Sequence, residues 1–169
     1  MTFTNNNRHV QVIQSTFDAE FNDTLFQQFL AAELLDSVKK THFFNGRFEN
    51  LYLSDQHAPL LLDLKTDARA YASQIIGRPV RKMGCWFNAM PKGSETTLHS
   101  HDDDDEVLSG VYYIRAPQGS GKLIIHTPEG KITHTPQAGQ WVFFSPQIPH
   151  EVSEHLADDL RLSVAFNFS

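Results

Sequence analysis

The most constraining feature of this sequence is a series of short strand-like runs that begins after Gly77 and continues to the end. Eight runs follow one another at intervals of about ten residues, separated by glycine, proline and acidic turns. They occupy residues 80–89, 96–101, 108–115, 122–127, 131–135, 140–145, 151–153 and 160–168. Short strands at this spacing are typical of an antiparallel barrel or jelly roll, so we expect a mainly β fold.

The first part of the chain predicts two helices that pack against one face of this sheet. An apolar pattern with spacings of three and four starts after a cap at Asn22 or Asp23 and ends near Lys40. A second helix is predicted over about residues 59–76, where a glycine and then a proline provide the stop signal.

The domain organisation follows from the same pattern. Residues 42–53 predict one or two short strands, and no linker divides the sequence. We therefore expect a single domain over residues 1–169, in which residues 1–78 form a buttress of helices and strands around a β core at residues 79–169.

Charge and composition exclude several classes of protein. With 14 basic and 20 acidic residues among 169, the net charge is −6, so we expect no nucleic-acid partner and no anionic membrane surface. No apolar run approaches the ~20 residues of a spanning helix, and the first residues lack the pattern of a signal peptide. The single cysteine, Cys85, excludes an intramolecular disulfide and is consistent with a cytoplasmic location.

The last strand-like run alternates strictly between apolar and polar positions. Leucine, valine and phenylalanine occupy the even positions of residues 160–168, whereas the odd positions are small or polar. Because successive side chains of a strand point to opposite faces, one face packs on an apolar layer and the other faces a polar interior. The residues of the polar face are Arg161, Ser163, Ala165 and Asn167.

A group of histidines and a carboxylate has the spacing of a metal site. His99, His101 and Asp103 share one face of an extended strand, and His150 follows another strand at the expected mouth of the barrel. Two imidazoles and one carboxylate are the facial ligand set of non-haem Fe(II) oxygenases. The acidic run at residues 102–106 is also consistent with a solvated turn or a weak calcium site.

Arg161 and Ser163 are the third element of the predicted site. They lie on the polar face of the last strand, where a guanidinium and a hydroxyl can hold a carboxylate by charge-assisted hydrogen bonds. The alternative for Arg161 is a surface ion pair with Asp158 or Asp159.

With these residues the chain resembles the 2-oxoglutarate/Fe(II)-dependent oxygenases, and in particular small bacterial and phage members of that superfamily. The resemblance covers roughly residues 80–169. Its matching pieces are Trp86-Phe87-Asn88, Gly93, His99-Ser100-His101, Ser109-Gly110-Val111-Tyr112-Tyr113, His150, and the segment from Arg161 to Asn167.

The resemblance implies a double-stranded β-helix, a jelly-roll and cupin-like barrel, that uses Fe(II), O2 and 2-oxoglutarate as co-substrate. It implies a hydroxylase of a protein side chain, an amino acid or a small metabolite, with catalytic and metal residues His101, Asp103 and His150. Arg161 and Ser163 would hold the distal carboxylate of 2-oxoglutarate. Further contacts to the cofactor or to a ligand are expected from Tyr112 or Tyr113, from Asn88 and from Asn167.

The ligand set has two possible registers. Counted forward from Trp86, the family His-x-His falls on His99 and His101, because an insertion is best accommodated in the acidic turn. Counted back from Ser109, it falls on His101 and Asp103, which supplies the usual carboxylate. The carboxylate register is favoured slightly, and His101 and His150 belong to both.

Two other functions are compatible with the sequence. A cupin-type metalloprotein would use three histidines without 2-oxoglutarate, and it would have no reason to place a carboxylate clamp at Arg161 and Ser163. A non-catalytic barrel would have no need to keep the whole constellation. An edge strand would also allow a homodimer.

Overall fold

The structure is a computed structural model that describes residues 3–101 and 105–169, in which we number twelve β-strands and two α-helices. The helices are α1 (Ala19–Ala32) and α2 (Leu61–Ile76). The strands are β1 (Phe3–Asn7), β2 (Val10–Gln14), β3 (Lys39–Phe44), β4 (Arg47–Tyr52), β5 (Met83–Met90), β6 (Thr96–His99), β7 (Leu108–Arg115), β8 (Leu123–Thr127), β9 (Gly130–His134), β10 (Gln140–Phe144), β11 (His150–Val152) and β12 (Arg161–Phe168).

The strands form two antiparallel sheets. The large sheet has the order β1-β2-β10-β7-β12-β5-β4-β3, and the small sheet has the order β6-β11-β8-β9. The mainly β jelly-roll architecture is therefore confirmed. Each of the eight runs predicted after Gly77 corresponds to one strand, with ends that differ by at most a few residues.

Helix α1 begins one turn earlier than its apolar pattern predicts. The side chain of Asp18 accepts a hydrogen bond of 2.9 Å from the backbone N–H of Phe21, so Asp18 is the N-cap. The predicted cap at Asn22 or Asp23 is wrong, because Asn22 lies inside the helix and is buried there.

The predicted end of α1 near Lys40 is also wrong. The helix ends at Ala32, and Lys40 lies in β3. Leu34, which continues the apolar spacing, is 82% exposed and contributes nothing to the core. The second helix agrees with its prediction and ends at Gly77, whose φ of 77° is in the left-handed region that favours glycine.

The two helices cover one face of the large sheet, as predicted. Leu25 and Phe29 of α1 and Leu64 of α2 are fully buried against sheet residues such as Trp141 and Phe166. Burying each of these side chains contributes roughly 1.5–3 kcal/mol, so this face is the main apolar core.

Strand β12 positions the predicted site because it lies between β5 and β7 in the middle of the large sheet. Leu162 and Val164 join the apolar core on the helix side. Arg161 and Ser163 point to the opposite face, towards the small sheet, and are 2% exposed. The predicted alternation is confirmed.

Strands β1 and β2 were not predicted from the sequence. They extend the large sheet beyond β10, with which β2 pairs along its whole length from Val10 to Gln14. Among the described residues, no helix is both long and apolar enough to cross a membrane.

Tyr112 connects the large sheet to α1, and this contact generates a pH-dependent prediction. Its buried hydroxyl donates a hydrogen bond of 2.7 Å to Oδ1 of Asn22. Burial is the main cause that raises the pKa of Tyr112 to about 12 from an ordinary value of 10.0. The folded protein keeps this proton between about pH 10 and 12 while the unfolded chain loses it, so stability falls as pH rises through that window.

We expect Tyr112→Phe to lower the free energy of unfolding by about 1 kcal/mol at pH 8, because the hydrogen bond to Asn22 is lost. Between pH 9 and 11.5 the variant should lose less stability than the wild type, by about 2 kcal/mol, because it lacks the titrating phenol. Urea unfolding at pH 8 measures the loss of the hydrogen bond, and urea unfolding at pH 9 and pH 11.5 measures the alkaline loss of stability. An identical alkaline loss in both proteins would contradict the assignment.

Candidate functional site

A cavity of about 570 Å³ lies between the two sheets. One wall is formed by the polar face of β12 and the neighbouring faces of β5 and β7, and the opposite wall is formed by β6 and β11. The volume is in the range of small-molecule sites, and the lining combines a few aromatic rings with convergent polar groups.

Three imidazoles meet on the small-sheet side of this cavity. His99 ends β6 and pairs directly with His150, which begins β11, and His101 follows β6 by two residues. One ring nitrogen from each histidine lies within 4.8 Å of the others. The ring centroids are 4.4 Å apart for His99 and His150, and 5.2 and 5.3 Å from these to His101. This convergence could hold one metal ion.

Backbone contacts orient two of the three rings for metal binding. Nδ1 of His99 donates to the carbonyl oxygen of Thr97 at 2.8 Å, and Nδ1 of His150 donates to that of Ile148 at 3.0 Å. Since a carbonyl only accepts, Nδ1 carries the proton in both rings and Nε2 keeps its lone pair. Fixing the tautomer through the second nitrogen is the usual arrangement for a ligating histidine.

The burial of His150 also favours the form that binds metal. Burial, and then the facing imidazoles of His99 and His101, lower the pKa of His150 to about 4 from an ordinary value of 6.5. His150 is therefore neutral at physiological pH. A neutral imidazole is what a metal ion requires, and three of them suit iron, zinc, copper or nickel rather than calcium.

The structure brings together His99, His101 and His150, which are one of the two predicted ligand sets. Asp103, which belongs to the other set, lies outside the described residues. The set of His101, Asp103 and His150 thus stays a prediction. His101 and His150, which are common to both registers, lie in the cavity as expected.

Arg161 lies at the end of the cavity away from these rings and is 2% exposed. Among the described side chains of residues 8–101 and 105–169, the guanidinium has no carboxylate partner, and its buried Nε has no hydrogen-bond acceptor. The other contacts are weak: Nη1 lies 3.1 Å from Sδ of Met90 and 3.5 Å from Oγ of Ser163. The predicted alternative, a surface ion pair with Asp158 or Asp159, is wrong because Arg161 points inward and Asp158 pairs with Lys92.

Tyr113, rather than Tyr112, lines this end of the cavity. Its ring centroid lies 5.2 Å from the Arg161 guanidinium carbon, and its buried hydroxyl interacts with that guanidinium and has no other hydrogen-bond partner among the described residues. Burial raises the pKa of Tyr113, so the hydroxyl stays a donor. The predicted role of Tyr112 is wrong, because the pleat directs its side chain to the helix side, where it binds Asn22.

Asn88 and Asn167 both line the cavity, but at different distances from Arg161. Asn88 pairs with Ser163, close to the guanidinium. Asn167 is four residues beyond Ser163 on the same strand, or about 13 Å at the usual rise per residue. Its Oδ1 accepts a hydrogen bond of 2.9 Å from the buried hydroxyl of Ser109.

Asn88 and Asn167 lie at different positions along the sheet relative to Trp86, whose ring is near the imidazoles. Trp86, whose ring centroid is 6.4 Å from that of His101, pairs with Ala165, which lies between Ser163 and Asn167 on β12. Along the sheet, Asn88 therefore lies on the Arg161 side of the Trp86–Ala165 pair, and Asn167 lies on its other side.

Sequence reasoning missed the contribution of the hairpin formed by β3 and β4. His42, Asn50 and Tyr52 line the cavity, and Arg47 donates a hydrogen bond of 3.1 Å to the side chain of Asn88. The pairing of Leu51 with Phe87 brings this hairpin to the sheet. No local pattern of residues 42–53 indicates that pairing, although the Asn-Gly turn at its tip is a hairpin signal.

Comparison with known proteins confirms the resemblance. A family model described as "Putative 2OG-Fe(II) oxygenase" matches residues 84–135. The match covers less than half of the chain: it includes His99 and His101, whereas His150 and Arg161 lie beyond its end. No curated protein sequence is similar enough to count as a match.

Solved structures of this superfamily have the same fold, the double-stranded β-helix. A prolyl-4-hydroxylase from Pseudomonas putida is 21% identical, with a TM-score of 0.69 over 95% of this chain and 92% of that one. A prolyl hydroxylase from Trichoplax adhaerens, solved with a hypoxia-inducible-factor peptide, is 14% identical, with a TM-score of 0.75 over 95% and 83%. The epimerase SnoN, solved with Fe3+ and alpha-ketoglutarate, is 14% identical, with a TM-score of 0.73 over 95% and 78%.

The isolation of the Arg161 charge predicts a stabilising substitution. We expect Arg161→Met to raise the free energy of unfolding of the ligand-free protein by about 1–3 kcal/mol, because a side chain of similar length replaces a buried charge that lacks a counter-ion. Chemical denaturation measures the change. Arg115→Met is a matched control: this arginine is 40% exposed in its pair with Asp23, so a change within about 0.5 kcal/mol is expected. A large loss of stability in Arg161→Met would show that the guanidinium has a partner in the folded protein.

Proposed function

We propose that this protein is a Fe(II)- and 2-oxoglutarate-dependent dioxygenase that hydroxylates its substrate. One observation carries the proposal: a buried guanidinium without a counter-ion shares a cavity with three convergent imidazoles. A metal and a dicarboxylate would satisfy both groups at once. The family match and the shared fold support the same chemistry.

The three histidine nitrogens are suitable ligands for iron. His99, His101 and His150 would hold the ion through neutral nitrogens, and three ligands leave positions open for other groups. When bound, Fe(II) supplies the centre at which O2 is reduced while 2-oxoglutarate is decarboxylated.

The residues near Arg161 would hold 2-oxoglutarate. The guanidinium would bind the distal carboxylate, and the hydroxyls of Ser163 and Tyr113 lie beside it to donate further hydrogen bonds. Burial strengthens these bonds and excludes water. Asn88 would contact the same molecule, because it lines the same cavity and pairs with Ser163 on the neighbouring strand.

The opposite side of the imidazoles is left for the substrate. Asn167 lies there, and because the Ser109 hydroxyl donates to its Oδ1, its Nδ2 is available to donate to an acceptor group. We therefore assign Asn167 to the substrate rather than to the cofactor. A protein side chain or an amino acid is the preferred substrate class, since two of the similar structures are prolyl hydroxylases. A cytoplasmic location is proposed separately, from the single cysteine.

A cupin-type metalloprotein that does not use 2-oxoglutarate is the second candidate. The observation that favours it is the all-histidine cluster, which needs no carboxylate ligand. It offers no reason for a buried and unpaired Arg161. Binding of 2-oxoglutarate therefore separates the two candidates.

We expect the anaerobic protein with Fe(II) and 2-oxoglutarate to show the weak visible charge-transfer band of the chelate. Arg161→Met should weaken the apparent affinity for 2-oxoglutarate at least 100-fold, because a charge-assisted bidentate contact in a dry cavity is lost. Titration of the band measures the affinity, and Arg115→Met is the control. A wild-type protein that binds Fe(II) but gives no band at any 2-oxoglutarate concentration would favour the second candidate.

The metal ligands can be identified with single substitutions. We expect His150→Ala, His101→Ala and His99→Ala each to abolish stoichiometric Fe(II) binding, and Asp103→Asn to retain it. Metal analysis after anaerobic loading and gel filtration measures the stoichiometry. His126→Ala is the control, because this histidine binds Glu151 on the small sheet and is not part of the cluster. Loss of iron in Asp103→Asn with retention in His99→Ala would establish the carboxylate register.

A further inference from the structure

Arg47, at the start of β4, connects three elements around the cavity. Its side chain is only 10% exposed. Nη1 donates to Asn88 Oδ1 at 3.1 Å and to the Ala89 carbonyl at 3.4 Å, and Nη2 donates to Glu49 Oε1 at 3.2 Å, the Glu95 carbonyl at 3.0 Å and Thr96 Oγ1 at 3.4 Å. The two terminal nitrogens are thus occupied by protein acceptors, and Glu49 balances the charge. These two nitrogens of Arg47 are therefore not available to bind a ligand.

The contact with Asn88 determines which way that amide faces. A guanidinium has only donors, so the amide atom beside Arg47 must be the oxygen. The Nδ2 group of Asn88 is then turned away from Arg47. It makes no hydrogen bond to any residue in the described part of the chain, and Asn88 lines the cavity. Arg47 thereby presents a hydrogen-bond donor to the cavity.

The register of β5 against β12 places this donor at a defined level. Asn88 pairs with Ser163, whereas Trp86 pairs with Ala165 near the imidazoles and Met90 pairs with Arg161. Along β5, Asn88 is therefore two residues from Trp86, whose ring is near His101, and two residues from Met90, which pairs with Arg161. A dicarboxylate that binds both Arg161 and a metal at the imidazoles would lie in the cavity that Asn88 lines.

We propose that Arg47 is a positioning residue for the co-substrate: it holds the Asn88 amide so that Nδ2 donates to the oxygen atoms of bound 2-oxoglutarate. This inference rests on the proposed function and extends it to a residue outside the cofactor contacts. A purely structural role, in which Arg47 only ties β4 to the start of β6, is the alternative. The two roles differ in whether the effect of Arg47 on ligand affinity requires Asn88.

A double-mutant cycle tests this requirement. The affinity of Mn(II)-loaded protein for 2-oxoglutarate is measured by calorimetry for the wild type, Arg47→Met, Asn88→Ala and the double variant. We expect Arg47→Met to weaken the affinity about tenfold when Asn88 is present, and less than about twofold when alanine replaces it. Thermal melting, measured in parallel, should show a loss of stability in both backgrounds, because the contacts to Glu95 and Thr96 are lost in each. The loss should be slightly larger when Asn88 is present, because its hydrogen bond to Arg47 is lost as well.

Two further variants keep the test decisive. Arg47→Lys, which retains the charge and one donor nitrogen, should give a smaller loss of affinity, again only when Asn88 is present. It replaces the methionine variant if that protein does not fold. Arg115→Met should not change the affinity. An equal loss in both backgrounds, or no loss in either, would overturn the inference. A wild-type protein that does not bind 2-oxoglutarate would instead overturn the proposed function.

Discussion

The desolvation of Arg161 is the constraint on which the site depends. Taking one unpaired charge out of water costs several kcal/mol. The nearby Tyr113 ring offers a cation–π contact worth up to about 2 kcal/mol, and a thioether and a distant hydroxyl add little. None of these contacts supplies a counter-ion, so part of the desolvation cost remains in the ligand-free protein. An anion that binds Arg161 in the cavity removes this cost. The free energy recovered contributes to the affinity for the anion.

The rest of the fold provides enough stability to compensate for the cost of burying the Arg161 charge. The helix side of the large sheet buries most of the large apolar side chains, including Trp141, Phe166 and Phe168. Strand β12 takes part in both functions, because its alternate residues serve the core and the cavity. A protein that separates its stabilising face from its chemical face in this way can keep a costly polar site without losing its structure.

The fold was predictable where the local pattern reflects the final environment. The alternation of residues 160–168 correctly gave both faces of β12, because its two sides meet different surroundings. The end of α1 was not predictable, since Leu34 continues an apolar spacing but finds no partner to cover it. Strands β1 and β2 escaped prediction because β1 is mostly polar and the partner of β2, β10, is distant in sequence.

The site was predictable in its principal residues and not in its details. The spacing of His99 and His101, together with His150 and Arg161, suffices to propose a metal beside a carboxylate clamp. Distinguishing Tyr112 from Tyr113 requires the pleat of β7, which a run of consecutive buried residues conceals. Arg47 could not be identified, because its role arises from a hairpin whose register only the folded sheet defines.

The direct pairing of His99 with His150 has a consequence for the small sheet itself. Strand β6 has only four residues, and its register against β11 is already irregular near this pair. A slip of one residue would keep most of the backbone ladder but rotate the His99 ring out of the cavity. An ion that bridges the two rings would forbid that slip. Loading should therefore slow amide hydrogen exchange along β6 and β11 much more than along β12, whose register is fixed by neighbours on both sides.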